Sequence, residues 1–213
     1  MPVRVKICGL NDPVAVAAAA GATWAGFNFY PPSPRAVSPA EAGTLASALP
    51  DSVARVAVLV DPNDDLVRAV CDHLRPQVLQ LHGKESPARA QALRVSSRTQ
   101  IMKAIPIAAA EDFAAVEPYL GVVDLIMFDA KPPRAGSSTL PGGNGRAFDW
   151  TLLAGRRWTW PWILSGGLDA ANLAEAVTTS GATAVDVASG VEDRPGIKSP
   201  DKIRAFLATA RGL

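Results

Sequence analysis

Two side chains capable of acid–base chemistry stand at the ends of apolar runs in this sequence. Cys8 ends the run of residues 3–8 and is followed by a glycine, and Asp129 ends the run of residues 125–129. Each has a structural alternative, because cysteine is often a small buried hydrophobic residue and aspartate after a strand often caps a turn. Within a site, Cys8 could act as a base and Asp129 as a general acid that keeps its proton in apolar surroundings.

Two glycine-rich turns follow the last two apolar runs of the chain. Residues 164–169 read LSGGLD and contain Gly166 and Gly167, while residues 187–192 read VASGVE and contain Ser189 and Gly190. Glycine lets backbone N–H groups approach a phosphate closely, and a following helix adds a favourable dipole. Either turn alone could simply be a tight connection, but the two together favour a phosphate site.

Arg35 and His82 are the next candidates for binding or catalysis. Arg35 ends a proline-rich segment, residues 30–35, that would hold its guanidinium ready for a carboxylate; a solvated surface arginine is the alternative. His82 could be a base, a ligand or a hydrogen-bonding residue. No second histidine, cysteine or carboxylate stands at metal-ligand spacing, and the glycine motifs of nucleotide-binding loops are absent. We therefore expect no metal and no cofactor.

Two other reactive side chains fit structural roles better. Cys71 lies on an apolar helical stripe and is predicted to belong to the core, together with Leu66, Val67, Val70 and Leu74. Asp61 precedes Pro62 and Asn63, a pattern typical of a turn and a helix cap.

Eight short apolar runs must position these groups. They cover residues 3–8, 24–28, 54–60, 78–81, 101–105, 125–129, 162–165 and 184–188. Most are continuously apolar, as expected for parallel strands covered on both faces, and helical stretches lie between them. Ser38 to Glu41 form a capping box, and Asp169 and Ser199 each precede a predicted helix as its cap.

This alternation predicts an α/β fold in which residues 1–213 form a single parallel eight-stranded (β/α)8 barrel, a TIM barrel. An open doubly wound sheet is the alternative, because periodicity does not show closure. Residues 130–148 are rich in glycine, proline and serine and are predicted to form a functional lid or a disordered loop. Chemistry in such barrels collects at the carboxyl ends of the strands, where all the candidate residues lie.

The charge and composition of the chain argue against some classes of partner and some cellular compartments. The 21 basic and 20 acidic residues leave a net charge of +1, without the basic excess typical of nucleic-acid binding. No apolar run is long enough to cross a bilayer, and the first residues do not resemble a signal peptide. With only two cysteines, no disulfide framework is expected. These features predict a cytoplasmic monomer or homodimer.

Six segments resemble the phosphoribosylanthranilate isomerase family of tryptophan biosynthesis. They are KICGL at 6–10, FYPPSPRAV at 29–37, QLHGKE at 80–85, GGNGRAFDW at 142–150, SGGL at 165–168 and DVASGVE at 186–192. The segments follow the family's order and span nearly the whole chain. The family usually has threonine where this chain has Asn11 and Asn144, so a threonine hydroxyl contact at 144 is not carried over.

The resemblance implies a cofactor-free Amadori rearrangement, the third step from chorismate to tryptophan. N-(5-phosphoribosyl)anthranilate would become 1-(2-carboxyphenylamino)-1-deoxyribulose 5-phosphate. Asp129 matches the general acid that protonates the furanose oxygen, and Cys8 matches the general base that removes the proton from ribose C2. Arg35 matches the residue that pairs with the anthranilate carboxylate, His82 and Asp186 are expected to order the substrate site by hydrogen bonds, and the phosphate is assigned to Gly166, Gly167, Ser189 and Gly190.

Two alternatives compete with this assignment. The histidine-pathway isomerase that performs the same rearrangement has an aspartate at the position of Cys8. A non-catalytic barrel that binds a phosphometabolite would keep the glycines and could lose Cys8, Asp129 and Arg35, yet all three are present.

Overall fold

Eight parallel strands form a closed barrel in the computed structural model, which describes residues 2–131, 142 and 147–213. Each strand pairs with the next along the chain, and the eighth pairs with the first, for example Lys6 with Asp186. The strands are β1 Arg4–Cys8, β2 Trp24–Asn28, β3 Ala54–Leu59, β4 Val78–Leu81, β5 Gln100–Ile107, β6 Leu125–Ala130, β7 Trp162–Leu164 and β8 Ala184–Val187. The predicted closed barrel is confirmed, and the open sheet is wrong.

The helices of the outer layer begin largely where the sequence indicates. They are α1 Pro13–Ala18, α2 Pro39–Ala46, α3 Asp64–Leu74, α4 Pro87–Ser97, α5 Leu173–Ser180 and α6 Pro200–Arg211. The capping box of α2 forms between Ser38 and Glu41. On α3, Val67, Val70 and Leu74 are buried, and Cys71 packs against this core while remaining partly exposed.

Of the two other predicted helix caps, the position of Ser199 is confirmed and that of Asp169 is not. Asn172 occupies the cap position of α5, while Asp169 accepts hydrogen bonds from Ala171 and Asn172 in the preceding turn. Ser199 precedes α6, but its side chain makes no capping hydrogen bond within the described residues.

The connections after β5 and β6 depart from the predicted strand–helix alternation. A 3₁₀ segment, Ala110–Tyr119, follows β5 and contains Pro118, which lacks the N–H that an α-helix would use. A four-residue 3₁₀ segment, Trp150–Leu153, precedes β7 and is capped by Asp149. Most of the predicted lid, residues 130–148, lies outside the described residues. No described helix is long and apolar enough to cross a membrane.

The inner face of the barrel changes from apolar to polar along the strands. On β6, alternation turns Leu125, Met127 and Asp129 inward, and the first two belong to an apolar cluster that fills the lower barrel. Residues on the outer face, such as Phe128, pack against the helical layer. The barrel floor is therefore dry, and the carboxyl ends of the strands carry the polar groups.

Candidate active site

One cavity of about 820 Å³, including its open mouth, lies at the carboxyl ends of the strands. It is lined by Cys8, Asn28, Tyr30, Ser33, Arg35, Val58, Val60, Gln80, His82, Asp129, Ala130, Lys131, Gly142, Ser165, Gly166, Gly167, Leu168, Asp186, Ala188 and Ser189. The structure therefore brings every predicted site residue except Gly190 to one cavity wall. Gly190 lies against the preceding loop, where a Cβ atom would collide with the Leu168 carbonyl oxygen.

Cys8 lies at the end of β1, beside a buried ion pair. Lys6 precedes it by two residues on the same face, and its Nζ lies 2.7 Å from Asp186 Oδ1. The other oxygen of Asp186 accepts a hydrogen bond from Ser165 Oγ at 3.0 Å. Burial raises the pKa of the Cys8 thiol, and the Lys6 ammonium opposes that rise. Burial alone would lower the pKa of Lys6, but the Asp186 carboxylate more than offsets it and raises that pKa.

Asp129 lies at the end of β6 and is 4% exposed. Its Oδ1 accepts a hydrogen bond from the Ala130 amide at 2.9 Å, and its Oδ2 lies 3.1 Å from His82 Nε2. The opposite ring nitrogen of His82 lies 3.0 Å from Gln80 Nε2. Gly142 covers this pair, since a Cβ atom there would come within 2.5 Å of His82 Nε2 and 2.7 Å of Asp129 Oδ2. The carboxyl group is thus oriented by two neighbours and shielded from above.

Arg35 is 5% exposed, so the solvated-surface alternative is wrong. Its Nε and Nη2 donate to the two carboxylate oxygens of Glu192 at 2.7 and 2.9 Å. Lys198 donates to Glu192 Oε1 and to the Ala188 carbonyl oxygen, each at 2.8 Å. Burial would raise the pKa of Glu192, but the hydrogen bonds and charges of Arg35 and Lys198 lower it overall. Burial lowers the pKa of Lys198, although Glu192 opposes that effect.

The turn after β7 contributes Gly166 and Gly167 to the cavity wall. Gly166 and Gly167 have φ angles of +94° and +62°. Neither amide donates a hydrogen bond within the part of the chain that the structure describes. The Asn172 side chain supports the turn, since its Nδ2 donates to the Gly167 carbonyl oxygen at 2.9 Å. The cavity wall therefore includes two backbone N–H groups that donate no hydrogen bond within the described residues.

Several buried polar residues near the site were not predicted to have a role. Lys103 Nζ contacts Glu85 Oε2 at 2.9 Å and the Gly83 carbonyl oxygen at 2.7 Å, which secures the turn that follows His82. The other unpredicted members are Lys6, Gln80 and Glu192. A lysine inside an otherwise apolar strand, two residues from Cys8, was the available signal for Lys6, because alternate strand residues share a face.

A family model of N-(5'-phosphoribosyl)anthranilate isomerase matches residues 5–209. The chain belongs to this isomerase family. An N-(5'-phosphoribosyl)anthranilate isomerase of Paramagnetospirillum magneticum is 51% identical over 214 residues, covering 100% of this chain and 99% of the relative. One from Rhodospirillum centenum is also 51% identical, over 215 residues, and both chains are fully covered.

Solved isomerase structures of the family share the fold. The phosphoribosyl anthranilate isomerase of Thermotoga maritima superimposes with a TM-score of 0.84 at 34% identity, covering 99% of this chain and 100% of that one. Another, solved with reduced 1-(o-carboxyphenylamino)-1-deoxyribulose 5-phosphate, has a TM-score of 0.81 at 31% identity, covering 99% and 100% of the two chains. The family assignment made from the six segments is confirmed, and the histidine-pathway alternative is wrong. Residues 143–146 of the fourth segment, including Asn144, lie outside the described residues.

Proposed function

We propose that this isomerase of tryptophan biosynthesis rearranges N-(5'-phosphoribosyl)anthranilate with Asp129 as general acid and Cys8 as general base. The observation that carries the proposal is the shared cavity. Cys8 and Asp129 come from β1 and β6, and both line a cavity whose rim includes the Gly166–Gly167 turn and Arg35. One small phosphorylated carboxylate could contact all of these groups together.

The first step would open the sugar ring. The Asp129 carboxyl donates its proton to the furanose oxygen, the C1–O bond breaks with its electron pair going to that oxygen, and the anilino nitrogen forms an iminium with C1. The hydrogen-bond partners of Asp129, the Ala130 amide and His82, hold the carboxyl group in one orientation for this transfer. A fixed orientation lowers the barrier because no reorganisation is needed when the proton moves.

The second step would use Cys8. Its thiolate takes the proton from C2, and the C–H electron pair moves to form an enolamine as the iminium is neutralised. Tautomerisation of the enolamine then gives the ketone, so atoms and electrons balance without an oxidant. The iminium makes the C2 proton far more acidic, which suits a base of modest strength. Since burial raises the pKa of the Cys8 thiol, the rate of this step should increase with pH.

Substrate binding would divide between the two ends of the cavity. The phosphate fits the Gly166 and Gly167 amides and Ser189, and Gly190 acts by letting this loop pack closely against the Leu168 carbonyl oxygen. The anthranilate carboxylate fits Arg35, whose guanidinium plane is held by Glu192. A related isomerase was solved with reduced 1-(o-carboxyphenylamino)-1-deoxyribulose 5-phosphate, a ligand that carries both a phosphate and a carboxyphenyl group.

The oligomeric state, the cellular location and the binding partners of the enzyme are also proposals. A related structure is that of monomers generated from the dimeric phosphoribosylanthranilate isomerase of Thermotoga maritima. For this chain the monomeric or homodimeric state, the cytoplasmic location, the independence from metals and cofactors and the lack of nucleic-acid binding stay predictions.

Replacing Cys8 with serine tests the proposed base. An alcohol is a far weaker base than a thiolate, so Cys8→Ser should lower kcat by about 10² to 10⁴ with the fold intact. The assay follows the loss of phosphoribosylanthranilate fluorescence, with circular dichroism to check the fold. Cys71→Ser is the matched control and should retain wild-type kcat. Retention of more than about a tenth of wild-type kcat by Cys8→Ser would remove Cys8 from the mechanism.

A further inference from the structure

Cys8 lies among buried ions from several parts of the chain. Lys6 reaches it from its own strand and Asp186 from β8. Arg35 comes from the loop after β2, and Glu192 and Lys198 come from two short antiparallel strands after β8, Glu192–Arg194 and Ile197–Lys198. Three of these groups are cations and two are anions, so the cluster without Cys8 has a net positive charge. Asp129 and His82 face the same cavity from β6 and β4. An ionised thiol would balance the excess charge.

Of these three cations, Lys6 is the one on the same strand as Cys8. It is fully buried, at 0% exposure, in the middle of a barrel strand. A Cβ atom at Gly26, on the neighbouring strand, would stand 3.1 Å from Lys6 Nζ and 3.2 Å from Cys8 Sγ. The ammonium and the sulfur therefore flank the same small space, which exists because residue 26 has no side chain.

Asp186 prevents the ammonium from moving away. Its Oδ1 holds Lys6 Nζ at 2.7 Å, and its Oδ2 is itself held by Ser165 Oγ at 3.0 Å. Because the pair lies in the register of β1 and β8, where Lys6 is aligned with Asp186, its position is set by the barrel itself. In a protein interior of low dielectric constant, charges that are held at short, fixed distances interact much more strongly than they would in water.

We propose that Lys6, fixed by Asp186, is a positioning residue that stabilises the thiolate form of Cys8. The inference rests on the proposed role of Cys8 as the base. It adds a function to the ion pair, which would otherwise be a structural element of the barrel interior. Lys6 then acts on the rate through Cys8 and not by contact with the substrate.

The two partners of the pair should act on Cys8 with opposite signs. Lys6 favours the thiolate, so its removal should raise the pKa of the Cys8 thiol, whereas Asp186 disfavours the thiolate, so its removal should lower that pKa. A purely structural ion pair predicts a different result, because loss of either partner would then disturb Cys8 in the same direction. The directions of these two changes in the pKa of the Cys8 thiol therefore distinguish a positioning role for Lys6 from a purely structural ion pair.

The experiment measures the ionisation of Cys8 without turnover. In a Cys71→Ser background Cys8 is the single thiol, and its rate of alkylation by iodoacetamide, followed by mass spectrometry across pH, reports the thiolate fraction. Lys6→Met should raise the midpoint by at least about one pH unit, a tenfold loss of thiolate. Asp186→Asn should lower the midpoint. The kcat/KM profile of Lys6→Met should shift in the same direction as its alkylation midpoint.

Two further variants keep the test decisive. If Lys6→Met does not fold, Lys6→Met/Asp186→Asn leaves no lone buried charge, and its midpoint should still lie above that of the background protein. Lys103→Met/Glu85→Gln, which removes a different buried lysine–carboxylate pair, should leave the midpoint unchanged. An unchanged midpoint in the Lys6 variants, or shifts of the same sign for Lys6 and Asp186, would overturn the proposal. Turnover by Cys8→Ser tests the function separately.

Discussion

Arg35 lines the cavity and Lys6 lies beside Cys8, and each of these cations is held by a carboxylate, Glu192 and Asp186 respectively. Removal of one partner from such a buried pair typically costs about 3–5 kcal/mol, because the remaining charge is left without compensation. These residues therefore influence both stability and chemistry. Variants at these positions need a measurement of folding beside every measurement of activity.

At the residue scale, Asp129→Asn should abolish most turnover. An amide cannot supply an acidic proton to the furanose oxygen, so kcat should fall by about 10² to 10⁴ while circular dichroism remains unchanged. The control is Asp12→Asn, since Asp12 caps α1 and asparagine caps a helix equally well. A variant with near-normal kcat would assign the proton transfer to another group.

Glu192→Gln tests how the orientation of Arg35 affects substrate binding. Loss of the carboxylate charge leaves the guanidinium less firmly held, so KM should rise about 10- to 100-fold with a smaller change in kcat. Steady-state kinetics would check this, with Glu175→Gln on the exposed surface of α5 as the control. An unchanged KM would show that Arg35 does not need Glu192 to bind substrate.

At the scale of elements, the proposed phosphate site depends on the contact between the turns after β7 and β8. Gly190 approaches the Leu168 carbonyl oxygen too closely for any side chain, so each turn positions the other. Asn172, at the start of α5, secures the first turn through the Gly167 carbonyl oxygen. The proposed anion site would therefore be formed jointly by two loops.

Gly167→Ala should separate backbone strain from phosphate binding. Gly167 and Gly155 have similar φ angles, +62° and +68°, so alanine at either position should destabilise the protein by roughly 1–2 kcal/mol. Only the change at 167 should also raise KM, because Gly155 is exposed and a Cβ atom there meets nothing within 4 Å. Urea unfolding and steady-state kinetics measure the two effects. Equal KM values for both variants would exclude the Gly167 turn as the phosphate site.

At the scale of the whole molecule, Glu192 should make stability depend on pH. Its pKa in the folded protein is lowered, so the ionised carboxylate stabilises the fold above its ordinary pKa, and this contribution is lost as the pH falls through the folded-state value. The difference in free energy of unfolding between wild type and Glu192→Gln should be largest near neutral pH and shrink below about pH 5. Urea unfolding at several pH values measures it; a difference independent of pH would contradict the assignment.

The sequence by itself predicted the eight strands, favoured a barrel over an open sheet and identified the candidate catalytic residues of the cavity. Continuously apolar runs identify strands that are buried on both faces, and polar residues at or just after the ends of most runs mark the barrel mouth. For this reason Cys8, Asp129, Arg35 and His82 could be placed at one site before their neighbours were known. Local signals such as the Ser38 capping box were also sufficient, because they involve residues within one turn of helix.

Only the tertiary structure decided which charged groups meet. Lys6 and Asp186 lie 180 positions apart, and Arg35 and Glu192 lie 157 apart, so no local pattern connects them. A strand pattern gives the face and the end at which a side chain lies, but its lateral neighbour depends on closure of the barrel and on strand register. Closure places β8 beside β1 and so brings Asp186 to Lys6, within reach of Cys8.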